Sequence, residues 1–237
     1  YSDGTGSHEE IAQAALETDV DVVIITDHNL FVKGVESYYE ENQKRVLVLV
    51  GEEVHNRTLC EQKDHLLVLG TEKEMADKGE DPQALVDAVN QLGGLTFIAH
   101  PVDPAAPAVD EPDISWEDWS LTNYTGIELW NGFSEFKSLL KSIAHAVFYA
   151  YNPKRIASGP FPKTLETWDQ LLAKGDRIVA VGGSDAHALA ASMGPLKRTL
   201  FPYTFHFRSI NTHLITPEAL SGDLLDDKRM IYESLRK

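Results

Sequence analysis

The stretch Val22-Val23-Ile24-Ile25-Thr26-Asp27-His28 decides how this chain folds. It belongs to a largely β-branched run over 20–26, the pattern of a strand buried on both faces, and it ends on an acid and an imidazole. Four further short apolar runs end alike. Leu49-Val50-Gly51 precedes Glu52-Glu53, Phe97-Ile98-Ala99 precedes His100, Gly126-Ile127 precedes Glu128, and Val181-Gly182-Gly183-Ser184 precedes Asp185-Ala186-His187. A single such ending is an ordinary turn cap. Five on one chain place histidines and carboxylates at the same end of successive buried strands, and in a barrel of parallel strands that end is where catalysis sits. The pattern points to metal-dependent hydrolysis.

Between these runs the spacing predicts helices. Ser7 with Glu10 at the capping-box interval, followed by Ile11, Ala15 and Leu16, predicts a helix over 7–18. Pro82 at a start and Gly93-Gly94 at an end bracket another over 82–92. Further helices are predicted over 33–45, 133–150, 165–173 and 226–236. Strands are predicted over 46–50, 66–69, 95–99, 127–130, 177–181 and 211–215. Such alternation implies an α/β fold of parallel strands joined by right-handed crossovers, and 237 residues suit one domain over 1–237. The proline-rich piece 102–112, directly after His100, reads either as a long loop at the active-site face or as a plain surface excursion.

Bulk properties set limits. Hydrophobic content of 43% and charged content of 24% are those of a soluble globular chain. Lys and Arg number 21 against 37 Asp and Glu, a net charge of −16, which argues against wrapping a nucleic-acid backbone. A small anionic substrate remains compatible, because divalent ions in one pocket reverse the local field. No run has the length of a membrane-spanning helix and no signal peptide is visible. The chain opens at Tyr1 without Met, so its natural start is expected upstream, and both a cytoplasmic and a processed secreted protein fit. Lone Cys60 excludes an internal disulfide and a cysteine-rich zinc knuckle. Oligomeric state is not legible.

Each candidate ligand has an ordinary alternative. Asp27 can cap a turn, His28 can face solvent, and His100 before Pro101 can be a packed core histidine. Strand alternation sends only one of Glu52 and Glu53 inward. Asp185 and His187, two apart on an extended segment, point the same way. His65 opens a strand instead of closing one, and Glu128 suits a hydrogen bond to a ligand as well as ligation. His55, His145, His206 and His213 have no comparable context and read as structural or surface residues. Taken jointly, the ligand reading prevails.

The motifs Ser2-Asp3-Gly4, Thr26-Asp27-His28, Gly51-Glu52-Glu53, His65-Leu66-Leu67, Ala99-His100-Pro101 and Ser184-Asp185-Ala186-His187 resemble, in order, those of the PHP (polymerase and histidinol phosphatase) superfamily. The opening residues and the Gly-Glu-Glu form look most like its carbaryl-hydrolase-like branch. The resemblance implies a distorted (β/α)7 TIM-like barrel with two or three divalent ions at the C-terminal ends of its strands. By motif, Asp3, His28 and His187 would hold one ion, and Glu53, His65 and His100 a second. Glu53 would bridge toward a third held also by Asp185. The family's third site also uses a His-x-His pair on the first strand, before Ser-Asp-Gly, so this chain is expected to lack that strand.

Mixed imidazole and carboxylate ligands suit Zn, Mn or Fe better than Mg or Ca. Paired ions acidify a bridging water and offset charge at the substrate oxygen. The expected reaction is therefore hydrolysis of a phosphate ester by a metal-bridging hydroxide, with His187 or Asp185 moving the proton. Arg155, Lys197 and Arg198 are candidates for steadying the phosphate. An alternative keeps the metals and cleaves a carboxylic ester, carbamate or amide, with Trp116, Trp119 and Trp130 lining an apolar pocket. A third reading is a metal-binding or scaffold domain without turnover.

Overall fold

The computed structural model describes residues 4–59, 61–188, 190–193, 196–199 and 201–237. The chain begins with α1 (His8–Glu17), where Ser7 and Glu10 form the reciprocal capping box. Next come β1 (Val22–His28), β2 (Ser37–Glu41), β3 (Lys44–Val54) and β4 (Leu66–Leu69), then α2 (Pro82–Gln91) and β5 (Leu95–Ile98). They are followed by β6 (Gly126–Asn131), α3 (Gly132–Leu139), α4 (Ile143–Tyr151), α5 (Pro162–Ala173) and β7 (Val179–Gly183). A hairpin of β8 (Ala190–Met193) and β9 (Leu196–Thr199), the short α6 (Tyr203–His206) and α7 (Leu224–Leu235) complete the order. No described helix is long and apolar enough to cross a membrane.

The main sheet curls like half a barrel along the path β1-β3-β4-β5-β6-β7, with β2 paired to β3 off that path. β3 is its spine, buried from Val46 to Val54. Alternation sends Leu47 and Leu49 to one face, against Phe97 and the α7 residues Ile231 and Leu235. Val46 and Val48 go to the other, against Ile11, Ala12 and Ala15 of α1. Burial on both faces is why the run has no polar alternation. The last helix is tied down by Tyr38 Oη donating to Asp227 (2.5 Å) and by Lys228, bonded to Glu36 and Glu72 at 2.6 Å each.

Four expectations need correction. Residues 33–45 are not a helix: Ser37–Glu41 pairs antiparallel with the start of β3. Asn42 and Gln43 both have positive φ (50° and 67°), as a two-residue hairpin turn requires, and the aromatic pair Tyr38-Tyr39 favours strand. The expected helix over 133–150 is two helices broken at Leu140–Ser142, with Ser142 capping the second. Residues 211–215 form no strand. Finally, the sheet is not all parallel. β1–β3, β5–β6 and β6–β7 are parallel, but β4 runs antiparallel to both β3 and β5. That reversal brings the start of β4 to the end of the sheet where its neighbours finish.

Candidate metal centre

The ligand-type residues gather at that end. Parallel pairing of β1 with β3 sets His28 opposite Glu53, on the face that carries Leu47 and Leu49 lower down. Glu52 goes to the other face, where it is fully buried and accepts from Met75 N (2.6 Å). Burial pushes its carboxyl up to about 7. The inward carboxylate is thus Glu53. His65 arrives from the reversed β4, and His100 follows β5 with a left-handed φ of 28°. Glu128 on β6 accepts the His100 amide (2.8 Å), which helps hold that strained backbone.

Glu53 Oε1 accepts from His65 Nδ1 at 2.6 Å and from His100 Nε2 at 3.0 Å. All three side chains are buried, and their donor atoms lie within 4.8 Å of one another. Burial by itself would raise the Glu53 carboxyl. The bonds from His100 and His65 and the nearby His28 instead hold it well below the usual carboxylate range. Burial likewise opposes a charged His100. The hydrogen bond and charge of Glu53, backed by Asp103 and Asp185, outweigh it and lift the ring to about 10.

This trio fits a divalent cation. One carboxylate and two imidazoles are a donor set for Zn, Mn or Fe, and the atoms now sharing protons are those a cation would take. His65 Nε2 faces the Gln62 carbonyl (3.0 Å), the usual orienting partner behind a ligand whose other nitrogen binds metal. A second convergence joins His65 to His28 and His55, again within 4.8 Å. The His55 ring stacks on His65, with centroids 4.3 Å apart. Burial, then the nearby His65 and His28, push His55 down to about 3.

Asp185 follows the end of β7. Asn131 Nδ2 donates to both Glu128 Oε2 (2.8 Å) and Asp185 Oδ2 (3.1 Å), linking the ends of β6 and β7. Burial, then the Asp185 charge, raise Glu128 to about 7. His187 Nδ1 lies 2.8 Å from the Asp185 carbonyl, an acceptor only, so Nδ1 carries a proton. The ring rests against Phe133 (4.8 Å between centroids), and Thr5 N donates to the His187 carbonyl (3.0 Å).

Of the ligand-type residues named from the sequence, the structure brings Glu53, His65 and His100 together, sets His28 beside His65, and links Asp185 to His187. Asp3 lies outside the described residues, as do the side chains of Lys197 and Arg198. Arg155 is exposed, with its guanidinium over the Phe148 ring (5.9 Å). Trp116, Trp119 and Trp130 have different surroundings. Trp116 is buried in the core, Trp130 donates to Glu135 (2.7 Å), and Trp119 is 41% exposed. An apolar cavity instead lies among Phe133, Phe136, Ile156, Phe201 and Ile210. The loop over 102–112 is pinned to α3 by a buried pair, Asp103 with Lys137, and by Ser134 Oγ donating to Asp103 (2.5 Å).

The sequence marks His55 as structural or surface, yet it sits in the cluster. The signal was present: two residues beyond Glu53 on an extended chain, it shares Glu53's face. Asn29 and Asn131 carry no comparable mark, since their roles depend on partners distant in sequence.

The PHP domain sequence model matches residues 1–200, and the chain belongs to that family, whose members are generally metal-dependent hydrolases. An uncharacterised protein of Methanocaldococcus jannaschii is 26% identical over 111 residues, 47% of this chain. The match spans 61% of that relative's length.

Proposed function

We propose that the chain is a metal-dependent phosphoesterase acting on a small anionic substrate, with no nucleic-acid or membrane partner. The observation that carries this reading is the buried convergence of Glu53, His65 and His100 within 4.8 Å, beside His28. We assign two or three Zn, Mn or Fe ions to a site made of Asp3, His28, Glu53, His65, His100, Asp185 and His187. The 1–237 chain is taken as one domain whose half-barrel belongs to a (β/α)7 barrel. In that barrel a further strand would lie between β1 and β7, the two ends of the sheet path.

When bound, the ions supply Lewis acidity and bring a water nucleophile into range near neutral pH. The protein's own part is positional and protonic. Glu53 holds the two imidazoles together, and Asn131 fixes Asp185. His187, oriented through Nδ1 by the Asp185 carbonyl, is assigned either to the ligand set or to moving the proton. Lys197, Arg198 and Arg155 are assigned to the phosphate charge.

A second reading, cleavage of a carboxylic ester, carbamate or amide, draws support from the apolar cavity lined by Phe133, whose ring also packs against His187. Nitrophenyl phosphates, phosphodiesters and carboxylic esters, tested with Mn or Zn on the full-length protein, separate the two. Phosphate-ester turnover is expected. Turnover of carboxylic esters alone would overturn the phosphoesterase reading.

A further inference from the structure

The His28, His55 and His65 convergence has the spacing of a cation site, but hydrogen-bond polarity at His55 opposes one. Asn29 sits in the left-handed region (φ 53°), and its own N–H donates to the Glu53 carbonyl (2.9 Å). Arg57 donates to the Asn29 carbonyl. The side chain is gripped too. Asn29 Oδ1 accepts the His55 backbone N–H at 3.1 Å, while Nδ2 lies 3.0 Å from His55 Nε2.

That backbone donor fixes the amide, because turning it over would set an NH2 against an N–H. Nδ2 therefore donates and Nε2 accepts. The His55 ring proton must then sit on Nδ1. A histidine ligand needs the reverse, an acceptor behind a protonated nitrogen and a lone pair toward the metal, as His65 has in the Gln62 carbonyl. His55 has one lone pair committed to Asn29 and its other nitrogen protonated. Nδ1 is buried with no hydrogen-bond partner among the described residues, and a buried donor of this kind calls for an acceptor.

We propose that His55 is a neutral hydrogen-bond donor to an anionic oxygen of substrate or product at the metal centre, not a cation ligand, with Asn29 as the positioning residue that fixes its tautomer. The identity of the oxygen, one of phosphate, rests on the phosphoesterase reading; the tautomer does not.

Three measurements on the full chain test it. Nitrogen-15 NMR of the metal-free wild type is expected to show His55 protonated at Nδ1, and protonation at Nε2 overturns the proposal. Bound manganese, counted after dialysis, is expected to be unchanged in His55→Ala and reduced in His65→Ala. An equal loss in both makes His55 a ligand and overturns it. Inorganic phosphate, titrated calorimetrically into the manganese-loaded protein, is expected to bind roughly tenfold more weakly to His55→Ala. Unchanged phosphate affinity overturns the donor role.

Asn29→Asp supplies an acceptor behind Nε2 and is expected to move the proton there and raise manganese binding. If it leaves both unchanged, Asn29 does not set the tautomer. Should manganese-loaded wild type bind no phosphate, the phosphate-donor role falls with the phosphoesterase reading. The exclusion of His55 from the ligand set is still decided by the NMR and the manganese count.

Discussion

Replacing Glu53 by Gln is the perturbation whose consequences can be worked furthest. The carboxylate accepts two bonds on one oxygen, at 2.6 and 3.0 Å, from rings that are themselves buried. Gln keeps the shape and one carbonyl oxygen but removes the charge. A charge-assisted bond contributes about 1.5–3 kcal/mol and a neutral one about 1, so two bonds lose roughly 2 kcal/mol. His100 relaxes in compensation, because burial, already the largest single influence on the ring, is then opposed only by the Asp103 and Asp185 charges and favours loss of the proton. The metal-free protein should therefore melt about 4–8 °C lower, by the scaling for a chain of this size.

Cation binding should suffer more. Losing even a residue that orients a ligand costs about 10–100-fold in metal affinity, so removing the carboxylate itself should cost at least ~100-fold. Saturating cation stabilises the wild type by about 2.7 kcal/mol at a hundredfold excess over Kd. Melting curves with EDTA and with manganese read both effects. The wild type should show a manganese-dependent rise in Tm that Glu53→Gln lacks. An equal rise in the two proteins would refute the assignment of Glu53 as the common ligand.

Four other outcomes follow from the structure. Because His100 is raised to about 10, a cation must displace its proton at neutral pH. Apparent cation affinity should climb about tenfold per pH unit for each proton released, and calorimetry in buffers of different ionisation enthalpy should detect that release. In the metal-free protein the raised ring contributes stability fully below its ordinary 6.5, lost as pH climbs through about 10. The depressed Glu53 contributes above its ordinary 4.5 and is lost on acidification, so the pair acts at full strength between those values. Lys137→Met strips the counter-charge from Asp103, which is 1% exposed, and should cost about 3–5 kcal/mol in denaturant titrations; a loss under about 1 kcal/mol would deny the pair its role. Gly126→Ala sets a methyl against the Val179 carbonyl and the Phe97 ring, wedging β6 from β7, with an expected loss of about 1–3 kcal/mol by thermal melts.

Much of this site was legible in the chain because buried strands leave a plain mark. The β-branched runs before His28 and Glu53 locate β1 and β3 directly, and strand alternation limits the inward carboxylate to one of two. His65 was the anomaly, since it starts its strand. Its place became intelligible only with the antiparallel direction of β4, which pairing sets and local sequence does not record. The helix expected over 33–45 failed for a local reason: polar residues at helical spacing outweighed the Tyr38-Tyr39 and Asn42 signals of a hairpin. The Asn29–His55 and Asn131–Asp185 contacts join residues 26 and 54 apart, and neither asparagine has a pattern that would announce it.

Glu53, His65 and His100 are assigned to hold a divalent cation. Crystals of the manganese-loaded protein, measured with anomalous scattering at the manganese edge, test that assignment most directly. A peak within bonding distance of all three side chains is expected. A protein that binds manganese yet places no peak among them would contradict it.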